Sequence, residues 1–276
     1  MNVTEDTHAR VPLAAVRRAL GALTPLGWRH LALQVGIFEA LGGLYALTGV
    51  YGRREVSAAI SNSKAILDTE QNLGLAFEAP LQGWVLQGPH VLQVVANETY
   101  FSCQFAVSTA FLLWVYARRT THFGAVRDAL VAANLVALAV AIAFPAAPPR
   151  LVRGSGIVDT LETDSVNMHS GLIDALNNAY SAMPSLHASY ALVLGVAGVA
   201  LTRRRWVRAI WALYPGLVFY SIIATGNHFV LDAVAGVAAL AATPLVGRGS
   251  RALERRCSHS VMEQAPRVAA RQGGAR

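Results

Sequence analysis

Six apolar runs, each close to the length of a bilayer-crossing helix, divide this chain at about residues 31–50, 91–116, 128–145, 184–201, 206–224 and 229–246. No other feature restricts the fold as strongly. A spanning helix needs roughly 20 mainly apolar residues. In hydrocarbon every backbone N–H and C=O must find a partner within the protein, and these Ala/Leu/Val-rich runs are too long for barrel strands, so helices are expected. Composition agrees: 14% of the 276 residues are charged, against about 25% in soluble domains, and mean hydropathy is +0.41. Cys103, inside an apolar run, and Cys257, in a basic tail, offer neither a disulfide framework nor metal-ligand spacing.

Arginine placement orients the spans. Arg10, Arg17, Arg18 and Arg29 precede the first run, Arg118, Arg119 and Arg127 sit between the second and third, and Arg203, Arg204, Arg205 and Arg208 between the fourth and fifth. Seven more follow from Arg248 to Arg276. With six spans, eighteen of the 23 basic residues fall on one side, leaving Arg53, Arg54, Lys64, Arg150 and Arg153 on the other. That bias marks the richer side, with both termini, as cytoplasmic in a multi-pass protein of the cell membrane. The net charge of +7 is therefore a topology signal. Without aromatic interleaving or a soluble domain to carry it, it does not point to nucleic acid.

The chain divides accordingly. Residues 1–30 form a cytoplasmic N-terminal segment, polar and basic, followed by a retained first span rather than a cleaved signal. Residues 31–90 hold that span and an outer loop whose helical periodicity, with Ile60, Leu67, Leu75, Phe77, Leu81 and Trp84, fits an amphipathic segment lying on the membrane surface. Residues 91–247 are expected to form the main membrane domain, and 248–276 a basic tail expected to be disordered. A second outer loop, 146–182, opens on Pro145, Pro148, Pro149 and Arg150 and turns acidic through Asp159, Glu162, Asp164 and Asp174.

Three polar segments meet the outer face: Phe144–Arg150 after the third span, Met183–Ser189 at the start of the fourth, and Thr225–Asp232 between the fifth and sixth. Arginines alone set the topology, yet it brings all three to one membrane level. Pro184 suits the first turn of a helix, where its missing N–H costs nothing. The free amides of that turn, with the Ser185 hydroxyl, make an anion site that His187 would face. His228 and Asp232 are four apart and would share a helix face. Asp232 can then accept the Nδ1 proton of His228 and leave the other nitrogen as nucleophile or base. Arg150 offers a planar fork for phosphate oxygens, with Asn227 and Arg153 as helpers. Such a set performs phosphoryl transfer without a metal or other cofactor. Glu39, inside the first span, is a functional suspect, Asn134 reads as interhelical glue, and His169 as a residue of a solvated loop.

Pro184-Ser185-Leu186-His187 and His228-x-x-x-Asp232 resemble the second and third signature motifs of the type 2 phosphatidic acid phosphatase superfamily, the lipid phosphate phosphatases. Leu186, the Thr225-Gly226-Asn227 lead-in to His228, and Pro148-Pro149-Arg150 are more similar to its inositolphosphotransferase branch, which includes inositol phosphorylceramide synthases. The resemblance covers roughly residues 90–246. It implies an all-α, six-transmembrane helix bundle in which His228 attacks phosphorus, His187 protonates the leaving group and Asp232 holds His228. The donor would be a membrane lipid phosphate, and water or a small alcohol such as inositol would resolve the phosphohistidine. Two phosphatase signatures are absent. The first motif carries a Lys where Ala143 stands, and the third an Arg where Ile222 stands. The alternatives are a plain lipid or polyprenyl phosphate phosphatase, or a membrane transporter, whose functional residues would instead lie at the bilayer midplane.

Overall fold

The structure, a computed structural model, describes residues 21, 23–52, 55–163 and 180–252. Expectations for the earlier N-tail, for Arg53 and Arg54, for the side chain of Glu162, for Asp164, His169 and Asp174, and for the tail beyond 252 lie outside these residues.

Among the described residues the chain is all-helical. Helix α1 spans Trp28–Gly52, α2 Val56–Leu73 and α3 Glu78–Gln87. Helix α4, His90–Ser102, runs through a π turn at Cys103–Val107 into α5, Ser108–Arg118, and α6 spans Thr120–Ala143. After a 3-10 turn at Pro149–Leu151 and the short α7, Thr160–Thr163, come α8 (Leu186–Leu201), α9 (Arg205–Ala224) and α10 (Val230–Ala239). A 3-10 turn at Leu240–Ala242 carries α10 onward to residue 252.

Five helical stretches, Trp28–Gly49, His90–Arg118, Thr120–Ala143, Arg205–Ala224 and Val230–Ala252, are long and apolar enough to cross a membrane. Leu33, Leu113, Ile142, Val196, Leu213 and Val234 stand exposed along the bundle, the distribution expected when lipid replaces water as solvent. This is a multi-pass membrane protein. The sixth apolar helix, α8, has 16 residues, about 24 Å at 1.5 Å per residue. It is shorter than the expected run 184–201 because Ser185 caps it from outside. Pro184 thus lies before the cap rather than in the first turn. The second run differs as well: its π turn frees the Cys103 carbonyl, which the Ser108 hydroxyl bonds at 2.8 Å.

Helix α8 is the central element, packed on α6, α9 and α10. Toward the arginine-bearing end, Phe111, Val115, Tyr116, Phe123, Val126, Leu130, Tyr190 and Leu194 form one core cluster. Toward the other end, Cys103, Ala191, Val218, Ile222, Ile223, Val230 and Ala233 form a second. Asn134 donates to the Tyr190 hydroxyl at 2.7 Å, tying α6 to α8 as its place in an apolar run suggested.

Helices α8 and α10 are in close contact where the Ser189 hydroxyl donates to the Gly236 carbonyl at 2.7 Å. A Cβ on Gly236 would fall 2.2 Å from the Ser185 carbonyl oxygen, a backbone atom that cannot move aside. Gly236→Ala is therefore expected to destabilise the detergent-solubilised protein by at least the ~1–3 kcal/mol typical of overpacking, read as a lower thermal midpoint. Gly216→Ala, where a Cβ meets nothing within 4 Å, should leave the midpoint unchanged or raise it slightly.

Candidate active site

Each polar segment is fixed by backbone groups that have nowhere else to bond. At the end of α6, the chain leaves the helix at Phe144 and forms an isolated parallel bridge between Ala146 and Ser181. There the Ala146 amide donates to the Tyr180 carbonyl at 3.0 Å and the Ala182 amide to the Ala146 carbonyl at 2.9 Å. Helix α2 braces this stretch, with the Asn62 side chain donating to the Pro145 carbonyl and the Ser63 hydroxyl to the Ala147 carbonyl. The bridge thereby ties the chain before Arg150 to the chain that leads into Ser185 and His187.

The third segment is a tight turn. The amides of Asn227 and His228 both reach the Ile222 carbonyl at 3.2 Å. Gly226 makes this possible with φ +69°, a left-handed conformation that favours glycine. A Cβ there would strike Ile157 Cγ2 at 2.6 Å. The Arg150 amide donates to the Gly226 carbonyl at 3.2 Å, locking the Pro-Pro-Arg segment to the His228 turn.

The side chains converge as follows. The rings of His187 and His228 have centroids 5.6 Å apart. His228 is buried, while His187, at the second position of α8, is half-buried. Tyr100 stacks on His187 at 4.4 Å and 17°. Asp232 Oδ2 lies 3.5 Å from His228 Nδ1, a close contact longer than a hydrogen bond, and Nδ1 has no hydrogen-bond partner. His228 stands outside α10, in the preceding turn. The two residues therefore meet not as neighbours on a helix face but because Asp232, third in the helix, reaches back to accept the Phe229 amide at 2.9 Å.

The residues expected to bind phosphate are differently engaged. Arg150 Nε pairs with Asp159 at 2.8 Å and Nη1 donates to Asn227 Oδ1, so Nη2 has no partner among the described residues. Asn227 is spoken for at its other end, where Nδ2 donates to Thr225 Oγ1 at 2.8 Å. The Ser185 hydroxyl is fully buried and accepts the Ala188 amide at 3.3 Å. The Ser185 amide donates to the Asp232 carbonyl at 2.9 Å, so the starts of α8 and α10 satisfy one another. A shallow hollow of about 400 Å³ opens beside Arg150, lined by residues 150–158. Arg153 sits on its exposed rim.

A family model described as the PAP2 superfamily matches residues 64–246. The chain belongs to the PAP2 superfamily. No curated protein and no solved structure matches it. Membership makes this a phosphatase-type membrane enzyme. The match begins well before residue 90, taking in most of α2 and all of α3, and these helices carry residues that sequence reasoning passed over. Glu70 accepts the Leu231 amide at 2.6 Å and Glu78 the Val230 amide at 2.9 Å. Gln82 bridges the Val158 amide and carbonyl and the Ala224 carbonyl. Their signal was the amphipathic pattern of 51–90 itself, whose polar face is turned partly toward protein. Tyr100 and Asp159 were also missed. Tyr100 lay hidden in an apolar run, and nothing local marked Asp159 as the partner of Arg150.

The Tyr100–His187 stack yields a test. Tyr100→Phe keeps the ring and should retain activity on a lipid phosphate within about twofold. Tyr100→Ala should lower turnover about three- to tenfold, the scale of one aromatic pair, in a steady-state assay in detergent.

Proposed function

We propose that this protein is a lipid phosphate phosphatase/phosphotransferase working through a phosphohistidine, with His228 as nucleophile and His187 as acid and base. The observation that carries this reading is the grouping of the two imidazoles 5.6 Å apart with a buried carboxylate against Nδ1 of one of them. With Nδ1–H directed at Asp232, Nε2 of His228 keeps its lone pair and attacks phosphorus. The P–N bond forms as the P–O bond to the lipid alkoxide breaks, and protonated His187 gives its proton to that oxygen. In the second half, His187 takes a proton from water or an alcohol, whose oxygen attacks phosphorus and expels His228. Asp232 stabilises the positive ring of the intermediate. Arg150, through Nη2, is the proposed phosphate ligand, and Asn227 holds its guanidinium. Ser185 serves by shaping the α8 start, whose first amides face the anion.

Ala143 and Ile222, standing where phosphatases carry cations, favour the phosphotransferase-like branch, with transfer of a phospho-head group to inositol or another small alcohol. The hollow beside Arg150 suits such an acceptor. We further place this end of the bundle on the outer face of the cell membrane, with the termini cytoplasmic, from the arginine bias.

His228→Ala should reduce turnover at least 10⁴-fold, as loss of a covalent nucleophile does, without shifting the thermal midpoint by more than a degree or two. Wild-type protein quenched during turnover of a lipid labelled on phosphorus should carry label that survives alkali and is lost in acid, and His228→Ala should carry none. Unimpaired turnover by His228→Ala would overturn the mechanism. Assay with and without inositol separates the two reactions, since free phosphate as the sole product in both cases would remove the transferase reading.

A further inference from the structure

Two of the most deeply buried charged side chains described belong to neither a span nor the proposed chemistry. Glu70 is 0% exposed and Glu78 2% exposed, and no Lys, Arg or His of the described residues forms a salt bridge with either. A buried carboxyl without a cation is costly unless it is hydrogen-bonded or protonated. Both accept backbone amides at a single place. Glu70 Oε1 takes the Leu231 N–H at 2.6 Å and Glu78 Oε1 the Val230 N–H at 2.9 Å, while Asp232 Oδ2 takes the Phe229 N–H at 2.9 Å. Three consecutive amides at the start of α10, donors that a helix cannot satisfy internally, are thus held by carboxyls from α2, α3 and α10 itself. The positive end of the helix dipole favours that arrangement. None of the three amides is left for substrate, so an incoming phosphate is directed to the start of α8 and to Arg150.

We propose that Glu70 and Glu78 are a positioning pair for His228, fixing by two buried hydrogen bonds the helix start from which Asp232 reaches back to the nucleophile. This rests on His228 being the nucleophile. The Phe229–Leu231 backbone directly follows His228. If it slips, both the imidazole and the carboxylate that orients it move, and the 3.5 Å contact between them has little tolerance to lose. Protonation suits the role. Burial above all, then the hydrogen bond to Glu78, push the Glu70 carboxyl up to about 8, against the pull of the Leu231 amide, with the Asp232 charge adding to the rise. Two abutting carboxyls do not both ionise cheaply. A proton on Glu70 gives its Oε2, otherwise without a donor, a bond to make toward Glu78. Glu70 therefore works as a neutral acid, accepting with one oxygen and donating with the other.

That dual role sets an unusual order among variants. Glu70→Gln reproduces it, since its carbonyl accepts the Leu231 amide and its NH₂ donates to Glu78, and it should retain kcat within about threefold. Glu70→Asp keeps the carboxyl but is a methylene too short to reach Leu231. It should lose about 10- to 100-fold in kcat, the scale of leaving one buried amide donor unsatisfied, with KM changed less than twofold and phosphoenzyme formation slowed in proportion. Glu70→Ala should fall at least as far. Both Gln and Asp variants are conservative enough to be compared as folded protein, and thermal midpoints check that they are. Glu70→Asp as active as Glu70→Gln, or more so, overturns the inference, as does full activity in Glu70→Ala. His228→Ala run alongside separates the two failures. If it is inactive while the Glu70 order is reversed, the positioning pair alone is wrong; if it retains turnover, the nucleophile assignment falls and takes the pair with it.

Discussion

The ends of two helices, α8 and α10, must be satisfied where little water reaches them, and most of the site follows from how that is done. The Ser185 amide finds the Asp232 carbonyl and the Ser189 hydroxyl the Gly236 carbonyl, so each helix closes part of the other. Side chains close further amides: Ser185 over Ala188, Asp232 over Phe229, Glu78 over Val230 and Glu70 over Leu231. An unsatisfied amide in an apolar surrounding costs several kcal/mol, which is why these contacts are buried and mutually dependent. His187 and His228 are carried by the backbone on either side of this seam. Their proximity is a consequence of capping rather than of direct attraction between them.

The same economy governs charge. Arg150 is held by Asp159 on one side and Asn227 on another, so its guanidinium is oriented before any anion arrives and only one nitrogen remains free to meet it. With Ala143 and Ile222 where two further cations would stand in the phosphatase pattern, the proposed phosphate site is lightly charged. A site of this kind depends on oriented donors rather than on net positive charge.

The spans were legible because lipid imposes a pattern that no packing detail overrides, and five of the expected runs reappear as long apolar helices, although Thr120–Ala143 begins eight residues before the expected third run and Val230–Ala252 ends six residues after the expected sixth. The histidines, Asp232 and Arg150 stood out as candidates because such residues at the ends of apolar runs have few other uses. Their partners were not. Asp232 and His228 do meet, but by a backward reach from a helix start that spacing alone cannot distinguish from a shared helix face. Ser185 and Asn227 carry the right functional groups for phosphate, and only the fold shows those groups already bonded to Ala188, Thr225 and Arg150. Glu70 and Glu78 lie some 150 residues or more from the amides they hold. Their amphipathic setting reads equally as a lipid-facing surface, since periodicity reports a polar face but not what covers it.

In the proposed mechanism phosphorus is transferred through His228 Nε2, with His187 on the leaving-group side. Vanadate adopts the trigonal bipyramid of an in-line phosphoryl transfer, so an experimental structure of the vanadate-soaked protein tests this directly. The mechanism requires a vanadium–nitrogen bond to His228 Nε2, an equatorial oxygen on Arg150 Nη2, and His187 within hydrogen-bond distance of the opposite apical oxygen. Vanadium bonded to His187 instead, or bound with no bond to either imidazole, would contradict it.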